Sequence, residues 1–144
     1  MANVTRLLQD KGSDMWTIAP DTSVYEAIEM MAARKVGALV VVDGQKVVGI
    51  VSERDYARKV ILQGKSSRDT PVRAIMTEKV YSVRPEQTVD DCMALMTARH
   101  IRHLPVMVDE RLVGIVSIGD IVKALITDQE VRIQQLEGYI TGSR

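Results

Sequence analysis

One cysteine, two histidines and no net charge set the first limits on this chain of 144 residues. A lone Cys92 cannot form a disulfide within the chain, and its place among apolar residues at helical spacing reads as a small core side chain. His100 and His103, spaced i, i+3 with no further ligand beside them, are too few to hold a metal. Lysine plus arginine equals aspartate plus glutamate at 19 each, and no block of like charges exceeds two or three residues. That balance disfavours nucleic acid or an anionic membrane as a partner. The opening MANVTRLLQDKG lacks the apolar stretch of a signal peptide, and the longest apolar runs are of strand length, far short of a membrane span. The expected location is the cytoplasm.

What the chain does have is a hydrophobic content of 46%, enough for one compact core or two small units sharing one, and an internal repeat. Residues 20–60 lie without a gap over residues 85–125 at a constant offset of 65, with about a third of positions identical, among them Pro20/Pro85, Val24/Val89, Met31/Met96, Arg34/Arg99, Leu39/Leu104, Gly49/Gly114, Ser52/Ser117 and Asp55/Asp120. Cys92 aligns with Ala27. A unit this short buries its apolar face poorly alone, so the two copies are expected to pack on each other and to leave clefts where they meet.

Each copy reads as strand, helix, strand, strand, helix. In the first, 16–18 is a short strand and Pro20-Asp21-Thr22-Ser23 opens a helix carried by Val24, Ala27, Ile28 and Met31 and stopping near Gly37. The β-branched runs 39–42 and 47–51, joined by Asp43-Gly44-Gln45-Lys46, predict a hairpin of buried strands, and a second helix follows Ser52. The second copy repeats this with strand 81–83, a helix through Val89, Cys92, Met93 and Met96, strands 104–108 and 112–116, and a helix after Ser117. The expected class is an α/β sandwich of two small sheets, divided as residues 1–70 and 71–144.

Between the copies, residues 63–69 form a polar loop, and Thr70-Pro71 predicts an N-cap followed by proline at the first helical position of a short turn over 72–76. Gly64-Lys65-Ser66 invites a phosphate-loop reading, which fails: Lys59 stands where the earlier glycine is needed, and a helix precedes where a strand should.

The chemistry gathers where the third strand of each copy enters its second helix, at Gly49-Ile50-Val51-Ser52-Glu53-Arg54-Asp55 and Gly114-Ile115-Val116-Ser117-Ile118-Gly119-Asp120. Ser-x-x-Asp is close to a capping box, in which each side chain satisfies a backbone N–H of the first turn. It also suits a ligand: the helix start attracts anions, and a short fixed carboxylate accepts two hydrogen bonds from a ribose diol. Both readings remain open on the residues alone. No nucleophile and base at workable spacing stand near either aspartate, so an enzyme is not expected.

The double pattern of a helix exit before Gly-Ala-Leu-Val-Val-Val-Asp or Arg-His-Leu-Pro-Val-Met-Val, then Gly-Ile-Val-Ser-x-x-Asp, resembles a tandem pair of cystathionine-β-synthase (CBS) domains over roughly residues 12–128. The resemblance implies two pseudo-symmetric β-α-β-β-α motifs packed as an intramolecular pair, the Bateman module of stand-alone type. It further implies an adenosine-containing ligand (AMP, ADP, ATP, NAD or S-adenosylmethionine) in the clefts between the motifs, and a sensor role without catalysis on an unidentified regulated enzyme. Carried over by position, it assigns the ribose to Ser52, Asp55, Ser117 and Asp120. It sets Asp120 against Trp16, Ile18, Val36, Gly37 and Ala38, and Asp55 against Tyr81, Val83, Ile101, Arg102 and His103, with Met76 and Thr77 nearby. The apolar members and backbone groups of these sets would hold adenine. Arg54, Lys59, Arg102 and His103 are the phosphate candidates. Arg102-His103 aligns with Gly37-Ala38 and Arg54 with Gly119, so the more phosphorylated ligand is expected on the Asp55 side.

Arg34 and Arg99 are expected in surface or inter-repeat salt bridges, and Trp16 and Tyr81 in packing or base stacking. The apolar stripe Val122, Leu125, Ile126 and Ile133 within 121–135, ahead of a Gly138-Tyr139-Ile140-Thr141-Gly142 tail, points to packing on the body or on a mate. A homodimer built through helices of both repeats is the expected assembly, and a purely structural dimerisation module with vestigial sites is the alternative function.

Overall fold

The computed structural model of the chain describes residues 2–12 and 15–140. After helix α1 (Val4–Lys11) come strand β1 (Thr17–Ile18), helix α2 (Val24–Arg34), strands β2 (Ala38–Asp43) and β3 (Lys46–Ser52), and helix α3 (Glu53–Tyr56), which runs into a π-helical turn (Ala57–Ile61). A 3-10 turn (Val72–Ala74) leads to helix α4 (Val89–Arg99), strands β4 (His103–Val108) and β5 (Arg111–Ser117), and helix α5 (Ile118–Ile140). The class is mixed α/β, with the helix-strand-strand-helix order expected of each copy.

Capping sets the helix starts. Ser23 Oγ accepts from the Glu26 N–H at 3.2 Å, and Thr88 and Asp91 bond reciprocally, at 3.1 Å to Thr88 Oγ1 and 3.0 Å to Asp91 Oδ2. At the other ends Lys35 and His100 take the left-handed conformation, with φ of 57° and 55°, and return their N–H groups to Met31 and Met96. Asparagine or glycine is the usual occupant of such a cap. Neither is used here, and Gly37 lies two residues past the cap.

β1 pairs parallel with β2, and β2 antiparallel with β3, with a bulge between Val41 and Val42. β4 and β5 form the other sheet. The expected strand 81–83 is here a single bridge, Val83 to Val106. The repeat shows why: Val40 donates to Trp16 O at 3.2 Å, whereas its counterpart Pro105 has no N–H to give.

Contacts divide the chain into two compact units, residues 14–81 with 109–112, and residues 1–13 with 82–108 and 113–144. The sequence-based division follows the repeat; the contacts instead group α1 with the second copy and the 3-10 turn with the first. In one unit Val72 N donates to Thr22 O at 2.8 Å and Arg73 N to Pro20 O at 2.9 Å; in the other Val4 N donates to Gln87 O at 2.8 Å and Thr5 N to Pro85 O at 2.9 Å. Since Thr22 and Pro20 align with Gln87 and Pro85, α1 and the 3-10 turn are equivalent parts, each docked on a body it does not directly precede.

Burial repeats with the sequence. In the first copy's unit, Ile18, Val24, Ala27, Met31, Leu39, Val41 and Val51 form a core with Val60, Val72 and Ile75. The buried counterparts in the other unit are Val83, Val89, Cys92, Met96, Leu104, Val106 and Val116, with Val4 and Leu7 taking the places of Val72 and Ile75. Cys92 is wholly buried, and burial, helped by the Asp91 charge, pushes its thiol up to about 11, which keeps it protonated. Two glycines sit at close approaches: a Cβ at Gly49 would lie 2.7 Å from Met76 Sδ and 3.0 Å from Thr77 O, and one at Gly114 would lie 2.6 Å from the Leu8 side chain.

Two local expectations change. Thr70 does not cap the 3-10 turn: its hydroxyl donates to Ser66 O at 2.7 Å, and extended Pro71 holds the N-cap position. The polar loop is thereby drawn onto α2, where Tyr25 N donates to Ser67 O at 3.0 Å and the Arg68 guanidinium lies 3.9 Å from the Tyr25 ring centroid. Residues 138–140, expected as a tail, continue α5; residues 141 and 142 lie outside the described residues. No helix among the described residues is long and apolar enough to cross a membrane.

Candidate functional site

Both Ser-x-x-Asp segments fold as reciprocal caps. Ser52 opens α3: its hydroxyl accepts from Asp55 N at 3.2 Å while Asp55 Oδ2 accepts from Ser52 N at 3.0 Å. Ser117 and Asp120 do the same at α5, at 3.2 and 2.8 Å. The strand-to-helix corner is closed from behind by the preceding helix exit: Glu53 N donates to Gly37 O at 3.1 Å, and Ile118 N to Arg102 O at 2.8 Å. Each unit thus holds one aspartate at a fixed helix start, aligned with the positive end of the helix.

The surroundings of the two carboxylates differ. Asp55 is 9% exposed, and both of its oxygens are engaged. Oδ2 accepts from Ser52 N and, at 3.1 Å, from Ser52 Oγ; Oδ1 accepts from Thr77 Oγ1 at 3.3 Å and forms an ion pair with Lys59 Nζ at 3.1 Å. Lys59 sits in the π-helical turn and also donates to Ile75 O at 2.9 Å. It joins α3 to the 3-10 segment.

Asp120 is more open, with its side chain 22% exposed against 12% for that of Asp55. Oδ2 accepts from Ser117 N at 2.8 Å and from Lys11 Nζ at 2.7 Å, while Oδ1 makes no hydrogen bond among the described residues. Lys11 donates again to Ile115 O at 2.8 Å. Burial works against the charge on Asp120, yet the hydrogen bonds from Lys11 and the Ser117 backbone and the Lys11 charge outweigh it, holding the carboxyl below its ordinary range. His103 lies in the same electrostatic neighbourhood: burial lowers its pKa, Lys11 and Arg102 lower it further, and Asp120 opposes them. Each aspartate therefore has one lysine paired with it, Lys11 on Asp120 and Lys59 on Asp55. Lys11 is not anticipated from the sequence, because α1 precedes the repeat and the contact spans 109 positions. The one signal was an amphipathic Leu7-Leu8 with a lysine a turn later.

The remaining candidates fall as follows. Met76 packs against the first copy's core with Trp16 and Val36, and Thr77 touches Asp55. Ile18 and Ala38 are buried, and Arg54 is exposed with no partner among the described residues. Val36 and Gly37 line a concavity of about 490 Å³ together with Met31, Glu53 and Tyr56. Arg34, expected in a salt bridge, instead lies 4.3 Å from the Trp16 ring centroid, so Trp16 is occupied by packing and a cation–π contact. Lys79 lies 5.7 Å from the Tyr81 ring centroid. Val83 is buried, Ile101 half-buried and Arg102 exposed. A second concavity, of about 290 Å³, is lined by Lys11, Asp120, Arg6, Asp10 and Lys123, among others.

Comparison with known proteins bears on these corners. The CBS domain family model matches residues 12–61 and 72–127. The chain is 47% identical over 136 residues to the CBS domain-containing protein CBSX3, mitochondrial, of Arabidopsis thaliana, covering 91% of this chain and 66% of that protein. A solved protein with CBS domains from Burkholderia ambifaria MC40-6, for which a signal-transduction role has been suggested, superposes with a TM-score of 0.85 at 50% identity, covering 89% of this chain and 96% of that one. The CBS domain pair of protein MJ0100, solved with 5′-methylthioadenosine and S-adenosylmethionine, superposes with a TM-score of 0.79 at 28% identity, covering 89% of this chain and 98% of that one.

Proposed function

Because the chain belongs to the CBS-domain family and carries a pair of such domains, we propose that it is a non-catalytic regulatory protein that binds an adenosine-containing ligand, AMP, ADP, ATP, NAD or S-adenosylmethionine. A Ser-x-x-Asp carboxylate, Asp55 or Asp120, is the acceptor for the ribose diol. The observation that carries this reading is the recurrence in both units of an aspartate fixed by its own serine at a helix start. The adenosine compounds bound to the MJ0100 pair support the ligand class. Arg54, Lys59, Arg102 and His103 are the phosphate contacts of this reading, and Ile18, Val36, Gly37, Ala38, Met76, Ile101 and the Trp16 and Tyr81 region the adenine contacts. Regulation of a partner enzyme requires that the ligand favour one of two states of the module.

Calorimetric titration of the nucleotide-stripped protein with these five ligands, with GTP as control, tests the proposal. Micromolar binding of an adenine compound and none of GTP is expected. No binding by any of them moves the weight to the second reading, a structural dimerisation module. That reading draws on the exposed apolar residues of α5, Val122, Ile126, Ile133 and Leu136, which also make a homodimer part of our proposal. The cytoplasm is the proposed location; the Arabidopsis relative is named mitochondrial, and cell fractionation decides between them.

A further inference from the structure

The two aspartates that the repeat makes equivalent are not equivalent as acceptors. An ionised carboxylate offers about four lone-pair directions. On Asp55 three hydrogen bonds and an ion pair already converge: Ser52 N and Ser52 Oγ donate to Oδ2, Thr77 Oγ1 donates to Oδ1, and Lys59 Nζ pairs with Oδ1 at 3.1 Å. A ribose diol reaching Asp55 has to expel Thr77 and Lys59 from a side chain that is 12% exposed, leaving an ammonium to find a new partner. On Asp120 the chain's hydrogen bonds fall on Oδ2, from Ser117 N and Lys11 Nζ. Oδ1 makes none among the described residues, and the side chain is 22% exposed. It has room for the two hydroxyls of a diol without breaking a bond already made.

Lys11 adds the second element of a nucleotide site. Its ammonium has three N–H donors; Ile115 O and Asp120 Oδ2 take two, at 2.8 and 2.7 Å. The third is available to an anion. In a nucleotide the 5′ phosphate extends from the carbon next to the 3′ position of the same ring, so a lysine at the diol's acceptor has it within reach of its flexible four-carbon stem. Lys11 and Asp120 share the concavity of about 290 Å³ with Arg6 and Lys123 and with the carboxylates of Asp10, which pairs with Arg6, and Asp128, and that size lies near the lower end of small-molecule sites, about 300 Å³.

We propose that the chain binds one nucleotide per molecule, at Asp120, and that Lys11 of α1 is the residue that reads its 5′ phosphate, while Asp55 serves as a locked helix cap. This rests on the adenosine-ligand reading above and assigns its working site.

The test is calorimetry of the full chain with adenosine, AMP and ATP for the wild type, Asp120→Asn and Lys11→Met, with circular dichroism melting of each variant. The wild type is expected to bind one ligand per chain and Asp120→Asn to bind none. Lys11→Met is expected to weaken AMP and ATP by about tenfold, the scale of one charge-assisted hydrogen bond, with adenosine changed less than about twofold. Two ligands per wild-type chain, or one remaining in a folded Asp120→Asn, overturns the single-site assignment. Equal weakening of all three ligands by Lys11→Met overturns the phosphate role. Should Asp120→Asn fail to fold, the wild-type stoichiometry and the Lys11→Met ratio still decide. Failure of every ligand to bind the wild type has a different signature: it refutes the adenosine-ligand reading, and this assignment with it.

Discussion

His103 carries a titration that the fold holds on one side. Burial first, then the Lys11 and Arg102 charges, favour its neutral form, with Asp120 opposing. A histidine whose pKa is lower folded than unfolded binds more protons in the unfolded state. Its contribution is therefore complete above the unfolded value of about 6.5 and is lost as pH falls below it. The melting temperature is expected to drop between about pH 7 and pH 5, and His103→Asn to flatten that slope; an unchanged slope in the variant assigns it to other groups. Cys92 gives a second check at this scale. With its thiol at about 11 and no exposure, it is expected to resist a thiol reagent at pH 8 in the native protein and to react at once in denaturant. The Cys92 assignment was legible in the sequence because a helical apolar stripe specifies burial directly. The Arg34 assignment was not: period and charge place a guanidinium at a surface but do not say that the indole of Trp16 rather than a carboxylate lies beneath it.

At the scale of elements, the two conserved-by-repeat glycines are expected to differ when each is given a methyl group. At Gly49 the new Cβ meets the backbone oxygen of Thr77 at 3.0 Å as well as Met76, whereas at Gly114 its three nearest atoms all belong to the flexible end of Leu8. Gly49→Ala is expected to cost about 1–3 kcal/mol, the range for overpacking, and Gly114→Ala measurably less, as read from denaturant unfolding. Equal costs would show that Leu8 cannot give way. Most elements were legible because burial period and caps are local: Ser23, Thr88, Ser52 and Ser117 all open the helices their sequence announces. The exceptions come from partners far along the chain. Strand 81–83 shrank to a bridge because its neighbour across the sheet is Pro105, and Thr70 left its capping role for Ser66 O.

For the whole molecule, the apolar residues exposed on α5 set an expectation for assembly. Ile133 and Leu136 are 52% and 62% exposed, so replacing Ile133 by lysine removes little buried area within one chain. Light scattering is expected to show a dimer that Ile133→Lys shifts toward monomer with little change in melting temperature at low protein concentration. A wild-type monomer at high concentration contradicts the homodimer.

The repeat, the α/β class, the CBS family and the two Ser-x-x-Asp corners are legible in the chain alone, because each of these depends on residues close together in the chain or on a pattern that recurs at a fixed offset. Which segment completes which corner is settled by folding. α1 joins the second copy and the 3-10 turn the first, so Lys11 meets Asp120 across 109 positions while Asp55 is filled by Thr77 and Lys59. Hydrogen bonding and charge act through space, and two aspartates alike in sequence become unlike acceptors once different donors fold against them.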